Sequence, residues 1–129
     1  MTQSNINVTI PKHDVHSTDC RKVSQVLARI GEKWSVLIIM MLSGGPRRFS
    51  DLMRDIDGIS QRMLTLCLRG LERDGLVKRT IYPVVPPRVD YELTELGHSL
   101  LAPVGALGTW ARQNRLKIQQ ARAKFDMRR

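Results

Sequence analysis

The chain has 129 residues and carries 21 Lys and Arg against 12 Asp and Glu, a formal net charge of +9 at pH 7. At this length we expect one domain that buries about two-thirds of its unfolded surface. No apolar run reaches the roughly 18 residues of a membrane helix, and the N-terminus lacks a secretory signal, so we expect a cytoplasmic, nucleoid-associated protein without membrane contact. The cationic excess favours a polyanionic partner, and 5% aromatic residues are too few to stack single-stranded bases, which points to duplex DNA.

The N-terminal third predicts an arm followed by two helices. Residues 1–17 are polar and interrupted by Pro11, as is typical of a flexible arm. Apolar residues then recur at helical spacing until Gly31. A second helix is predicted from about Lys33 to Leu42. Its apolar run favours a central place in the core, although a buried strand would show the same run.

The middle of the chain predicts two short helices joined by a tight turn. Ser50 can cap a first helix over residues 51–56, and Gly58 marks the turn. Ser60 can cap a longer helix that Gly75 ends. This order is typical of a helix-turn-helix, in which the second helix is the recognition helix.

The remainder predicts a β-hairpin and a final helical region. The β-rich segments 77–82 and 89–93 are separated by a proline-rich tip. Thr94 can cap the last helical region, which reaches about Phe125 and should break or kink near Ala102, the residue before Pro103. We therefore predict a mainly α fold with a small β-hairpin (α+β).

The fold expected is a winged helix-turn-helix with N- and C-terminal dimerisation helices over residues 18–125. A basic tail is expected at 126–129.

The recognition helix is predicted to have one core face and one basic face. At 100° per residue, one side collects Met63, Leu64, Cys67, Leu68 and Leu71. The other side collects Arg62, Thr65, Leu66, Arg69 and Arg73, with Gln61 at its flank. A solvated surface helix would show the same charged face, but the N-terminal part of a recognition helix enters the major groove. Leu66 suits either a thymine methyl or packing on the hairpin.

Several side chains are predicted to contact DNA. Arg donates two hydrogen bonds to guanine and Gln does so to adenine, whereas cations near helix starts suit phosphates. Arg88, at the hairpin tip, can enter a narrow minor groove or simply be a solvated turn residue. The full predicted set is Lys33, Arg48, Ser50, Ser60, Gln61, Arg62, Thr65, Arg69 and Arg88.

Apolar residues near both ends of the chain predict a homodimer. Their stripes exceed what one winged unit needs for its core, so a second copy can cover them, although packing within one chain is the alternative. The predicted contact residues are Val23, Val26, Leu27, Ile30, Leu100, Val104, Leu107 and Ala111.

Several ordered motifs carry a family resemblance. They are residues 30–35 (IGEKWS), 48–52 (RFSDL), 58–65 (GISQRMLT), 71–77 (LERDGLV) and 86–94 (PPRVDYELT), followed by Gly97 and Trp110. Together they resemble the HxlR-type branch of the MarR-like winged-helix regulators over about residues 20–112. The resemblance implies a bacterial-type homodimeric transcription factor that often responds to a small reactive molecule. Some members sense oxidants or electrophiles through a cysteine just before the first core helix, the position that Cys20 occupies.

The two cysteines are expected to be reduced thiols with different roles. Arg21 and Lys22 favour the thiolate of Cys20 whereas Asp19 opposes it, so sensing competes with an inert thiol near the dimer interface. Cys67 is expected to be a small buried hydrophobe. A metal site formed with His13 and His16 is disfavoured by its irregular spacing, and no cofactor is predicted.

The sequence thus predicts a sequence-specific DNA-binding regulator acting as a homodimer on a two-fold operator. Repression is the expected mode because no further domain is evident in 129 residues. The alternative is a non-specific nucleoid or RNA-binding basic protein. An enzyme is the least favoured class, since no catalytic constellation is visible.

Overall fold

A computed structural model describes residues 18–128 of the chain, with side chains described from residue 19. The predicted arm at 1–17 lies outside the described residues. The elements, in chain order, are α1 (Thr18–Gly31), α2 (Lys33–Met41), β1 (Arg47–Arg48), α3 (Phe49–Asp55), α4 (Gln61–Arg73), β2 (Val77–Tyr82), β3 (Arg88–Leu93), α5 (Glu95–His98) and α6 (Leu101–Met127). The fold is mainly helical with a small antiparallel sheet, as predicted.

The core forms where α2, α3 and α4 pack against the sheet. Ile38, Ile39, Leu52, Leu64 and Leu71 are completely buried there. The three strands run in the order β1-β3-β2, and the central strand β3 is antiparallel to both neighbours. Burial of these aliphatic side chains is the main force that fixes the recognition helix to the body of the domain.

Local signals set both ends of α4 as the sequence predicts. The Ser60 hydroxyl accepts the Met63 amide hydrogen at 3.0 Å and so caps the first turn. At the other end Gly75 adopts φ +78°, a left-handed conformation that favours glycine. The chain then enters β2, so the wing begins directly beside the end of the recognition helix.

One predicted helix start is wrong, and the predicted break near Ala102 is found two residues earlier. Arg48, not Ser50, precedes α3, and Ser50 lies inside that helix because pairing of β1 with β3 fixes the chain up to Arg48. The break in the last helical region falls at residues 99–100, and Pro103 lies in the first turn of α6. Proline is tolerated there because the first turn has no intrahelical partner for its missing N–H.

Burial in two helices also differs from the prediction. Leu37 and Met40 of α2 are partly exposed, so this helix is not surrounded by core on all sides. Met63 of α4 is 37% exposed, because it lies at the margin of the apolar arc in the first turn. Between residues 18 and 128, no helix has both the length and the apolar character needed to cross a membrane.

Candidate nucleic-acid interface

The exposed face of α4 is the centre of the candidate interface. Leu64, Cys67, Leu68 and Leu71 are buried on its inner face, so its opposite face is directed to solvent. We call this outer surface the recognition face. It consists of Gln61, Arg62, Thr65, Leu66, Arg69 and Arg73.

The recognition face carries cations that are available to a ligand. Arg62, Arg69 and Arg73 form no ion pair with any residue in the described part of the chain. The Thr65 hydroxyl donates to the Gln61 carbonyl at 2.9 Å, so Thr65 offers its methyl group and an acceptor lone pair. Leu66 is 51% exposed, so the hairpin does not cover it.

A groove separates the recognition face from the wing. Arg69, Glu72, Arg73 and Arg79 line this groove, which has a volume of about 510 Å³. Arg79 of β2 lies 3.7 Å from the Glu72 carboxylate, and this pair spans the groove. Sequence reasoning did not single out this groove, because the contact between Arg79 and Glu72 joins side chains of two different elements.

The predicted wing contact Arg88 is held by an acidic neighbour. Its Nε and Nη2 donate to the two Asp90 carboxylate oxygens at 2.9 and 3.0 Å, and its guanidinium lies 5.3 Å from the centre of the Tyr82 ring. The bidentate bond lowers the pKa of Asp90 and raises that of Arg88. Arg88 begins β3, so the tip at 83–87 carries no cation and exposes Val85 instead.

Arg48 lies near the same carboxylate. Arg48 pairs with Asp90 in the β1–β3 register, and its charge also lowers the pKa of Asp90. The short strand β1 is what places Arg48 there. A two-residue strand has no visible period in the sequence, so this juxtaposition could not be predicted.

The remaining predicted phosphate contacts lie at the edges of the surface. Lys33 is exposed at the start of α2, with its ammonium 4.4 Å from the centre of the Trp34 ring. That ring lies against Gly58, in the turn that precedes α4. Ser50 is exposed in the first turn of α3. Ser60 is exposed as well, but its hydroxyl already serves as the cap of α4.

The predicted dimerisation residues divide into exposed and buried groups. Val23, Val26 and Leu27 of α1 are 51%, 57% and 61% exposed, and Leu107 and Ala111 of α6 are also exposed. Ile30 and Leu100 are half-buried. Val104 is 7% exposed, so it already packs within the chain.

The two cysteines have different environments. Cys20 is half-buried in the first turn of α1, so it lies within this helix rather than before it. Cys67 is buried, and its thiol donates to Glu32 Oε2 at 3.5 Å. Burial and the Glu32 carboxylate raise the pKa of Cys67 to about 11, as expected for an inert thiol.

The described residues contain no cluster of three His, Cys, Asp or Glu side chains that could hold a metal ion. His13 and His16 lie outside the described residues.

Within residues 19–128 the recognition helix carries arginines that have no acidic partner, and it is combined with a preceding helix and a β-wing. These features define a winged helix-turn-helix DNA-binding regulator. The chain belongs to the HxlR-like helix-turn-helix family, which matches residues 29–119. The HTH-type transcriptional regulator YtfH of Escherichia coli is 40% identical over 114 residues, which cover 88% of this chain and 90% of that protein.

Solved structures agree with this assignment. The redox regulator HypR in its reduced form superposes with a TM-score of 0.72 at 40% identity, covering 77% of this chain and 98% of that one. The reduced form of the transcriptional regulator YodB from B. subtilis gives a TM-score of 0.64 at 38% identity, covering 73% and 93% of the two chains. The family consists of transcriptional regulators and not of enzymes, so the chain is a helix-turn-helix transcription regulator that binds DNA.

Proposed function

We propose that this regulator is a homodimer that binds a two-fold symmetric operator sequence-specifically and represses transcription. The observation that carries the proposal is the recognition face, where Arg62 and Arg69 point to solvent without an acidic partner in residues 19–128. An exposed guanidinium group without an acidic partner can form two hydrogen bonds to guanine when the helix enters the major groove. A dimer bound across a promoter excludes polymerase by occupancy, which favours repression.

Selection of bound fragments from random duplex DNA, followed by footprinting, tests sequence-specific binding. The proposal expects one enriched site with two protected half-sites whose centres lie about one helical turn, roughly 34 Å, apart. A charge-driven nucleoid or RNA-binding protein would enrich no sequence and protect no discrete region. The family assignment favours the first outcome.

The dimer is proposed to form through α1 and the exposed side of α6. In the single chain, more than half of each of three apolar side chains of α1 is exposed: Val23, Val26 and Leu27. Exposure of apolar surface to water is unfavourable, and a second copy can bury it. Light scattering should give twice the chain mass. Leu27→Asp should reduce it to the monomer mass, whereas Ile81→Asp, at a similarly exposed wing position, should not. A monomeric wild type would contradict this proposal.

Cys20 is proposed to sense oxidants or electrophiles. Cys20 lies in the first turn of α1, the helix proposed to form the dimer contact. Modification of Cys20 therefore changes how the two copies pack together. HypR, a structural relative, is described as a redox regulator, which supports the same role here. The partner of this site would be a small reactive molecule rather than a bound cofactor.

The sensing proposal is tested with Cys20→Ser. The variant should bind DNA normally when reduced and should remain bound under a mild oxidant that releases the wild type. Cys67→Ser is the matched control and should still be released, since the wild-type Cys67 thiol is buried and a serine hydroxyl can also donate to Glu32. Sensing is excluded if wild-type protein keeps its DNA affinity once mass spectrometry shows that Cys20 is modified.

A further inference from the structure

The junction between α1 and α2 contacts the recognition helix through two hydrogen bonds. Arg29, in the last turn of α1, donates from Nε to Asp74 Oδ2 at 2.9 Å, and Asp74 is the C-terminal cap of α4. Glu32, the N-cap of α2, accepts the Cys67 thiol at 3.5 Å. We call these two contacts, with Gly70 between them, the elbow clamp.

The clamp uses a face of α4 that differs from the recognition face. Cys67, Gly70 and Asp74 are spaced i, i+3 and i+7, so they lie one above the other on α4. Because Gly70 has no side chain, the Arg29 side chain can lie across α4 and reach Asp74. A Cβ at position 70 would overlap Arg29 Nη1 and lie 2.6 Å from its Cζ.

The rest of α1 packs little apolar surface against the described residues. Val23, Val26 and Leu27 are more than half exposed, and within residues 19–128 the Arg29–Asp74 bond is the ion pair that joins α1 to α4. Glu32 also accepts the Ser35 amide hydrogen at 3.0 Å, so the second contact is fixed to the start of α2. The clamp therefore holds the C-terminal end of α1 against the C-terminal half of α4.

The geometry points to a positioning role for Arg29 and Gly70, in which the elbow clamp sets the angle of the recognition helix relative to the partner subunit. This inference rests on the proposed function, because it takes α1 as part of the dimer contact. If α1 meets its copy in the partner, the clamp fixes the separation of the two recognition helices. The spacing of half-sites that the dimer accepts then depends on the clamp.

Gly70→Ala separates this role from stability. The added methyl group displaces the guanidinium from Asp74, yet alanine is a better helix former than glycine, so the domain should not unfold more easily. The Arg29–Asp74 pair is about one-third exposed at each side chain, and such pairs contribute little to stability. Arg29→Gln removes the same ion pair without adding a methyl group. Gly44→Ala is the control, since that glycine has open space around it.

The experiment measures affinity for the duplex that wild type selects from random DNA and for two versions with the half-sites moved together or apart by one base pair. Wild type and Gly44→Ala should prefer the selected spacing. In Gly70→Ala and Arg29→Gln this preference should fall by about two- to thirtyfold, the range that mutations along a coupling path produce. The loss of one cation in Arg29→Gln weakens all three duplexes alike, so the ratio of affinities stays informative.

A wild-type spacing preference in Arg29→Gln, or in folded Gly70→Ala, overturns the inference. An equal loss in Gly44→Ala overturns it as well. Failure of the proposed function looks different, because wild type would then show no two-fold site or would scatter light as a monomer.

Discussion

The recognition face and the wing each carry three cationic side chains, but their electrostatic states differ. Arg62, Arg69 and Arg73 have no ion pair among the described residues, whereas the wing cations Lys78, Arg79 and Arg88 each face a carboxylate. A cation count cannot distinguish these two regions. The availability of a guanidinium for DNA depends on the acids that the fold places beside it.

The difference has a physical consequence for binding. When an unpaired surface arginine binds a DNA phosphate, the arginine loses only hydration water and the DNA releases condensed counterions. Before Arg88 can bind DNA, it must break its bidentate hydrogen bond to Asp90. Asp90 is only 7% exposed, so its carboxylate would then lose this partner in a buried position. We therefore expect specificity to reside in α4 and the wing to contribute less.

The largest expected effect comes from removing the support beneath the recognition face. Leu64→Ala should lower the free energy of unfolding by about 2–5 kcal/mol, because Leu64 is completely buried. Leu66→Ala, two residues along the same helix, should change it by less than about 0.5 kcal/mol because that side chain is exposed. Urea denaturation measures both. Similar losses in the two variants would mean that α4 is not packed as described.

Next in size is the loss of a base contact. Arg62→Ala or Arg69→Ala should each weaken binding to the selected site by about 1–3 kcal/mol and weaken binding to random DNA much less. Arg122→Ala on α6 is the matched control and should change neither affinity by as much. Equal losses on both kinds of DNA would reassign these arginines to phosphate contacts.

A smaller effect is expected from releasing Arg88. Asp90→Asn removes the acidic partner, so Arg88 becomes free to approach a narrow minor groove, and affinity for sites with A·T-rich flanks should rise. The slope of log affinity against log salt should steepen by about one, as for one added cation contact. Arg88→Ala should change DNA affinity little. A large loss in Arg88→Ala would show that the wing arginine already binds DNA despite Asp90.

The smallest effect is the pH dependence of the wing ion pair. Arg88 lowers the pKa of Asp90 in the folded state, so the pair contributes its full stabilisation above the ordinary carboxyl range. That contribution is lost as the pH falls through the folded pKa, below about pH 4. Thermal melts between pH 2 and 7 should show a shallower acid decline for Asp90→Asn than for wild type. Parallel declines would exclude the pair as a source of acid sensitivity.

Local signals in the sequence predicted the elements that depend on local chemistry. Ser60 caps α4 and Gly75 ends it as expected, and the core face of α4 was correct except for Met63. The misses depend on contacts between distant residues. The pairing of Arg47 with Tyr91 forms β1 and moves the start of α3. No local sequence pattern indicates this pairing.

The candidate interface follows the same rule. The exposed face of α4 could be predicted from helical periodicity, because a buried face defines its opposite. The pairing of Arg88 with Asp90 was missed because the predicted strand began at residue 89, which placed Arg88 in the tip. Residues i and i+2 lie on the same side only when both belong to the strand. The approach of Arg29 to Gly70 spans 41 positions and was visible only in three dimensions.

Arg62 is expected to read a base, whereas Arg88 is not. The most direct measurement is the affinity of wild type, Arg62→Ala and Arg88→Ala for every single-base variant of the selected site. We expect Arg62→Ala to lose discrimination at one base pair in each half-site and to keep it elsewhere, and Arg88→Ala to keep the wild-type profile throughout. A uniform loss in Arg62→Ala across all sequences would make Arg62 a phosphate contact, and a position-specific loss in Arg88→Ala would make the wing a reader of bases.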